Sequence, residues 1–202
     1  MPRRQWLGLS ALALAVAAIP WLAGCEGGSN RSALRGIDVT GAPYGRTLSL
    51  TDQYGQRRTL QDFRGKVVML YFGFVQCPDV CPTALARAVE VMQRLGPDAE
   101  RVQLLFVTVD PERDTPALLR EYMAAFHPAF LGLTGTPEEI ATAAREFKVY
   151  YAKVPTGSSY TMDHSAQTYL IDPQGRLRIV LKHEQTADDY AHDIAWLLRE
   201  GA

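Results

Sequence analysis

The run Val67-Val68-Met69-Leu70-Tyr71-Phe72 constrains this chain most, because an unbroken apolar segment has no polar face to turn toward water. It reads as a buried strand. A second continuous apolar segment, residues 102–109, is of the kind buried on both sheet faces. A helix between two such strands implies a parallel crossover, and so an α/β sheet. The first strand also delivers Cys77 and Cys81, separated by Pro78, Asp79 and Val80 and followed directly by Pro82. Proline disfavours helical backbone in the residue before it and itself suits the first helical position. The pattern therefore predicts a helix starting at Pro82, with Cys77 in the strand-to-helix loop and Cys81 at the N-cap. There the unpaired N–H groups and the helix dipole favour a thiolate.

Three intervening residues separate this pair from the two-residue spacing of redox motifs. A disulfide needs β-carbons within about 3.5–4.5 Å, whereas i, i+4 positions on a helix lie about 5–6 Å apart, so the loop would have to bend. A metal bridging both sulfurs tolerates the wider gap. The plain alternative is two buried thiols acting as small hydrophobes, against which a Pro-flanked loop is an unusual core segment.

The N-terminus bears on the state of those thiols. Arg3 and Arg4 precede 20 uncharged residues, 5–24, ending in Leu22-Ala23-Gly24-Cys25. Residues 1–24 read as an export signal, and their ending resembles a bacterial lipobox, which implies cleavage before Cys25 and a lipid on that cysteine. An uncleaved transmembrane anchor is the rival reading. Either way the expected location is a bacterial membrane, with the domain on the periplasmic or extracytoplasmic side. Of three cysteines, only Cys77 and Cys81 then remain in an oxidising setting, so no structural disulfide framework exists. The pair must be oxidised to each other, kept reduced by a partner, or protected by a metal. Residues 25–40, with Gly27-Gly28-Ser29-Asn30, read as a flexible tether, and residues 41–202 as one domain. With 21 basic against 22 acidic residues there is no electrostatic footprint for nucleic acid.

Residues 47–50 and 56–60 read as an N-terminal hairpin around Asp52-Gln53-Tyr54-Gly55. Thr115-Pro116 and Thr136-Pro137 each read as an N-cap followed by a first helical proline, with a short strand at 130–133 between the two helices. Residues 149–163 are irregular and read as an inserted hairpin or flap. Residues 166–171 and 177–181 pair across the turn Asp172-Pro173-Gln174-Gly175, and 188–199 close the chain as an amphipathic helix.

This order of elements, a central mixed sheet flanked by helices with a cysteine pair after the first buried strand, is that of a thioredoxin-like domain. The segments Tyr71-Phe72-Gly73-Phe74, Cys77-Pro78-Asp79-Val80-Cys81-Pro82-Thr83, Val109-Asp110-Pro111-Glu112-Arg113-Asp114-Thr115 and Asp163-His164-Ser165 closely resemble the Sco/SenC family of copper proteins. The resemblance implies that Cys77, Cys81 and His164 bind one copper ion. It further implies delivery to the dinuclear copper centre of a cytochrome c oxidase subunit, with an upstream copper donor as a further partner. The residue chemistry agrees: two thiolates suit Cu(I), and one imidazole added to them can also hold Cu(II), while zinc would want a fourth ligand.

A histidine beside a strand is more often structural than ligating. Yet thioredoxin-like enzymes usually place a cis proline near this point, and here the nearest upstream proline is Pro155, which favours His164 as a ligand. Asp79 and Asp163 are candidates to orient ligands or face a partner. Residues 110–115 read as a structured loop near the site, though turn and helix-cap chemistry explains most of them. His127, His183 and His192, with no thiol or carboxylate company in view, read as surface residues. The alternative function is a thiol-disulfide reductase that keeps the oxidase's copper-site cysteines reduced, with Cys77 and Cys81 as its catalytic pair. A peroxidase of the same fold is a weaker third reading, since Phe74-Val75-Gln76 offers no activating group before Cys77.

Overall fold

A computed structural model describes residues 34–200. The expected signal segment 1–24, the expected lipidation site Cys25 and most of the expected tether lie outside the described residues. The main sheet has eight strands in the order β1-β10-β9-β4-β5-β6-β2-β3. Its centre is β4 (Val67–Gly73), every residue of which is buried. β5 (Val102–Thr108) runs parallel to β4 in register from Val67↔Val102 to Gly73↔Thr108, and β9 (Thr168–Ile171) lies antiparallel on its other side. Fully burying each large apolar side chain of β4 contributes about 1.5–3 kcal/mol, which is why the unbroken run takes the centre of the sheet. β6 (Leu131–Thr134) continues the parallel set, and β2 (Ser49–Asp52) and β3 (Arg57–Thr59) add the N-terminal hairpin at one edge. β10 (Leu177–Leu181) completes the antiparallel side.

Helix α1 (Val80–Leu95) packs beside α4 (Ala187–Glu200), α2 (Pro116–Phe126) against β6, and α3 (Pro137–Glu146) against β2. The predicted caps form: Thr115 Oγ1 accepts from the Leu118 N–H, and Thr136 with Glu139 makes a reciprocal capping box. The irregular stretch is a separate two-stranded hairpin, β7 (Tyr151–Thr156) and β8 (Ser159–His164).

Two expectations are corrected. Helix α1 begins at Val80 rather than Pro82, with Asp79 as N-cap, so Cys81 stands in the first turn and not at the cap. The first intrahelical bond, from the Thr83 N–H to the Asp79 carbonyl at 3.1 Å, asks nothing of Pro82. The first-turn N–H groups of a helix are unpaired anyway, so a proline there costs no bond. The sheet also begins upstream of residue 41. β1 (Ile37–Asp38) pairs with β10, and both oxygens of the buried Asp193 accept from the Arg35 and Gly36 N–H groups at 2.9 and 2.8 Å. The Gly-rich composition just before this stretch hides a strand of only two residues.

Candidate metal centre

Three structural elements converge on one point. β4 carries the chain to Gly73 and a tight turn, with the Cys77 N–H bonded to the Phe74 carbonyl at 3.2 Å, holds the first sulfur. The first turn of α1 then brings the second sulfur back beneath it, fully buried. A Cβ added at Gly73 would lie 2.7 Å from Cys81 Sγ, so the absence of a side chain there makes room for that sulfur. From the opposite side β8 ends in His164, whose Nε2 is 3.5 Å from Cys81 Sγ. The ligand atoms of Cys77, Cys81 and His164 all lie within 4.8 Å of one another. No other such cluster of three occurs among the described residues. Metal–sulfur bonds near about 2.3 Å let one ion reach all three atoms with small adjustments.

The histidine is held in the tautomer a metal needs. Its Nδ1 is 2.9 Å from the Ser165 carbonyl, which can only accept, so Nδ1 carries the proton and Nε2 turns its lone pair to the sulfurs. Tyr71 and Phe74 meet the imidazole edge-on at centroid distances of 6.2 and 5.8 Å, which fixes its plane. The Tyr71 hydroxyl points at Cys81 Sγ from 4.0 Å. Ser165, and not the exposed Asp163, therefore orients His164. Asp79 is likewise exposed, with only a 3.5 Å contact from the Thr83 hydroxyl.

Both cysteines are free and buried, so burial alone would also fit the plain hydrophobic reading. Electrostatics separates the two. The Cys81 thiol donates to Cys77, and with backbone N–H groups this holds Cys77 well below an ordinary thiol despite its burial. The same partnership, then burial, pushes Cys81 up. The pair thus shares one proton and carries one negative charge. Below the ordinary thiol value of about 8.5 the unfolded chain binds both protons and the folded pair one, so stability should rise with pH to that point. Above it the unfolded chain loses the proton that Cys81 keeps, and stability should fall. Alkylation of the reduced protein checks the assignment. Cys77 should react at a nearly constant rate from pH 7 to 9, over which an ordinary thiol accelerates about twentyfold. An ordinary titration of Cys77 would contradict the shared proton.

Sequence reading placed residues 110–115 as a structured loop near the site but gave Asp110, Arg113 and Asp114 no role beyond turn and cap chemistry. Asp110 and Asp114 are each 1% exposed. Asp114 Oδ2 accepts from the Thr108 hydroxyl at 2.6 Å and from the Val75 N–H at 3.1 Å, tying the cysteine loop to the end of β5. Burial raises its carboxyl, against those two bonds. Three acids and an arginine in the five residues 110–114, just after a buried strand, were the available signal. His192 is also corrected: its Nδ1 lies 2.9 Å from Asp193, so it does have carboxylate company, though far in sequence from the sulfurs. His183 and His127 are half-buried rather than fully exposed.

A model of the SCO1/SenC family matches residues 38–199. This chain belongs to the SCO1/SenC family. Across 151 residues this SCO1/SenC chain is 43% identical to the mouse mitochondrial SCO2 homolog, covering 73% of this chain and 59% of that protein's length. Its fold resembles Bradyrhizobium japonicum ScoI, whose structure has copper bound, with 42% identity and a TM-score of 0.71 over 76% of this chain and 99% of that one. It also resembles BsSco, a member of the Sco family of cytochrome c oxidase assembly proteins in which a disulfide switch was identified. There the identity is 26% and the TM-score 0.63, covering 77% of this chain and 93% of that one. The thioredoxin-like arrangement expected from the order of elements is the one these SCO1/SenC relatives share.

Proposed function

We propose that this chain is a copper carrier: Cys77, Cys81 and His164 hold one copper ion and pass it by ligand exchange to the dinuclear copper centre of a cytochrome c oxidase subunit. The observation that carries the reading is the third ligand. Two thiols sharing one proton suffice for thiol chemistry, but an imidazole with its free nitrogen 3.5 Å from a sulfur, and its other nitrogen tied to a carbonyl, is built for a metal. Thiolates favour Cu(I), and the imidazole lets the same site hold Cu(II). Binding must displace the shared proton, so loading should release about one proton per copper. Copper reaches the site from an upstream donor, and a lipid on Cys25 keeps the domain at the outer face of a bacterial membrane. No helix among the described residues is long and apolar enough to cross one.

Thiol-disulfide exchange is the second reading, favoured by the depressed Cys77 and by the disulfide switch of BsSco. The Cys77 thiolate would attack a partner disulfide and release one partner thiolate. Cys81, giving up its proton, would then attack the Cys77 sulfur of the mixed disulfide, breaking its bond to the partner and releasing the second partner thiolate. Two electrons pass to the partner, and a Cys77–Cys81 disulfide remains. Metal analysis with X-ray absorption on the soluble domain tests the carrier: the expected result is one copper per chain with two sulfur neighbours and one nitrogen. No copper under reducing, copper-replete conditions, or neighbours of nitrogen and oxygen alone, would overturn it.

A further inference from the structure

His164 is the last residue of a hairpin that stands apart from the main sheet, so something other than the sheet must hold it opposite the sulfurs. Side chains alternate along β8, and Tyr160 and His164 share a face. Tyr160 is where the hairpin is fastened. The Arg113 guanidinium lies over its ring at 3.8 Å, and Lys153 covers the same ring at 4.8 Å. Arg113 Nη1 donates to the Tyr160 carbonyl at 2.8 Å and to Gln76 Oε1, next to Cys77, at 3.2 Å. Its Nε is paired with the buried Asp110, whose other oxygen accepts from the Tyr160 hydroxyl at 2.9 Å. One planar guanidinium thus touches the cysteine loop, the loop after β5 and the histidine hairpin.

We propose that Arg113 is a positioning residue that clamps the β7–β8 hairpin to the cysteine loop and so sets the distance of His164 from the two sulfurs. The inference rests on the copper reading for its consequence, not for the clamp itself. Stability alone explains the arrangement poorly. A buried ion pair is weak evidence for stability, and Arg113 Nη2 is buried with no partner among the described residues, a cost that a purely structural arginine would avoid. What the planar fork supplies is direction: several donors at fixed angles, which an ammonium group cannot offer.

The test uses Arg113→Gln, Arg113→Lys and Tyr160→Leu. Tyr160 is half-buried, packed against the edge of the core and not among its buried residues, so its loss removes no core side chain and keeps the question answerable if the arginine variants misfold. In the metal-free protein, amide exchange across residues 151–164 should accelerate about tenfold or more in Arg113→Gln and Tyr160→Leu, with β4 and β5 unchanged. Arg113→Lys should fall between them and the parent. In copper-loaded protein, Cu(II) affinity should drop about 10–100-fold and the imidazole nitrogen coupling weaken in the Cu(II) spectrum, while Cu(I) stays on the sulfurs. Exchange that is unchanged, or that rises equally in β4 and β5, would overturn the clamp. A parent protein whose Cu(II) spectrum lacks imidazole nitrogen would overturn the copper reading, while a loosened hairpin would still support the clamp.

Discussion

Replacing His164 with alanine should lower Cu(II) affinity by more than about 100-fold while leaving Cu(I) on two sulfurs. The bound is physical: removing an outer partner of a ligand already costs about 10–100-fold, and here the ligand itself is removed. No other histidine, cysteine or carboxylate among the described residues belongs to this cluster, so no fourth side chain stands ready in its place. The sulfurs should keep their shared proton, because Cys81 is the first cause of the low Cys77 value. His164→Ala should therefore keep an oxidisable Cys77 and Cys81 pair, yet fail to support oxidase assembly at limiting copper. Cys77→Ser disables both chemistries and serves as the control. Oxidase activity in cells carrying each variant, with copper content and thiol titre, decides. Full assembly with His164→Ala but not with Cys77→Ser would replace the carrier by the reductase.

Gly73→Ala should cost about 1–3 kcal/mol and lower the melting temperature of the metal-free protein by about 2–12 °C. The added Cβ would sit 2.7 Å from Cys81 Sγ, 2.8 Å from Phe106 Cε2 and 3.0 Å from Tyr71 Cε1. All three neighbours are buried at 1% exposure or less, so none can swing away. Gly73 is not among the positive-φ glycines, which leaves steric room as the cause rather than backbone strain. Displacing the Cys81 sulfur should also move one of the proposed copper ligands, so copper affinity falls with stability. Gly132→Ala is the comparison: its Cβ meets Leu119 at 3.1 Å and Met123 at 3.2 Å, contacts that can relax by a few tenths of an ångström. Equal melting temperatures for Gly73→Ala and the parent, with unchanged Cys77 alkylation, would contradict the close-approach account.

Local signals carried much of the architecture. The apolar run at residues 67–72 fell where expected because a segment without a polar face can only occupy the centre of a sheet. The Thr-Pro pairs marked the starts of α2 and α3 because capping is settled within four residues. Proline punctuation was less decisive at Pro82, where the free first-turn N–H groups let α1 start two residues early. β1 was invisible because a two-residue edge strand has no period to detect and is held by Asp193, which lies 157 positions from Gly36.

For the site, the sequence by itself determined the donor set: two soft sulfurs beside one buried strand and a histidine near a later one, residue types that restrict the chemistry before any folding is considered. Only the tertiary structure decided which nitrogen of His164 faces the sulfurs, how the pair divides its protons, and that Gly73 and Tyr71 surround Cys81. It also decided that Arg113, and not either exposed aspartate, links the hairpin to the cysteine loop. The reason is that ligand identity is a property of single residues, whereas tautomer, proton sharing and close approach depend on distances between groups up to 83 residues apart, and the closed fold alone sets those distances.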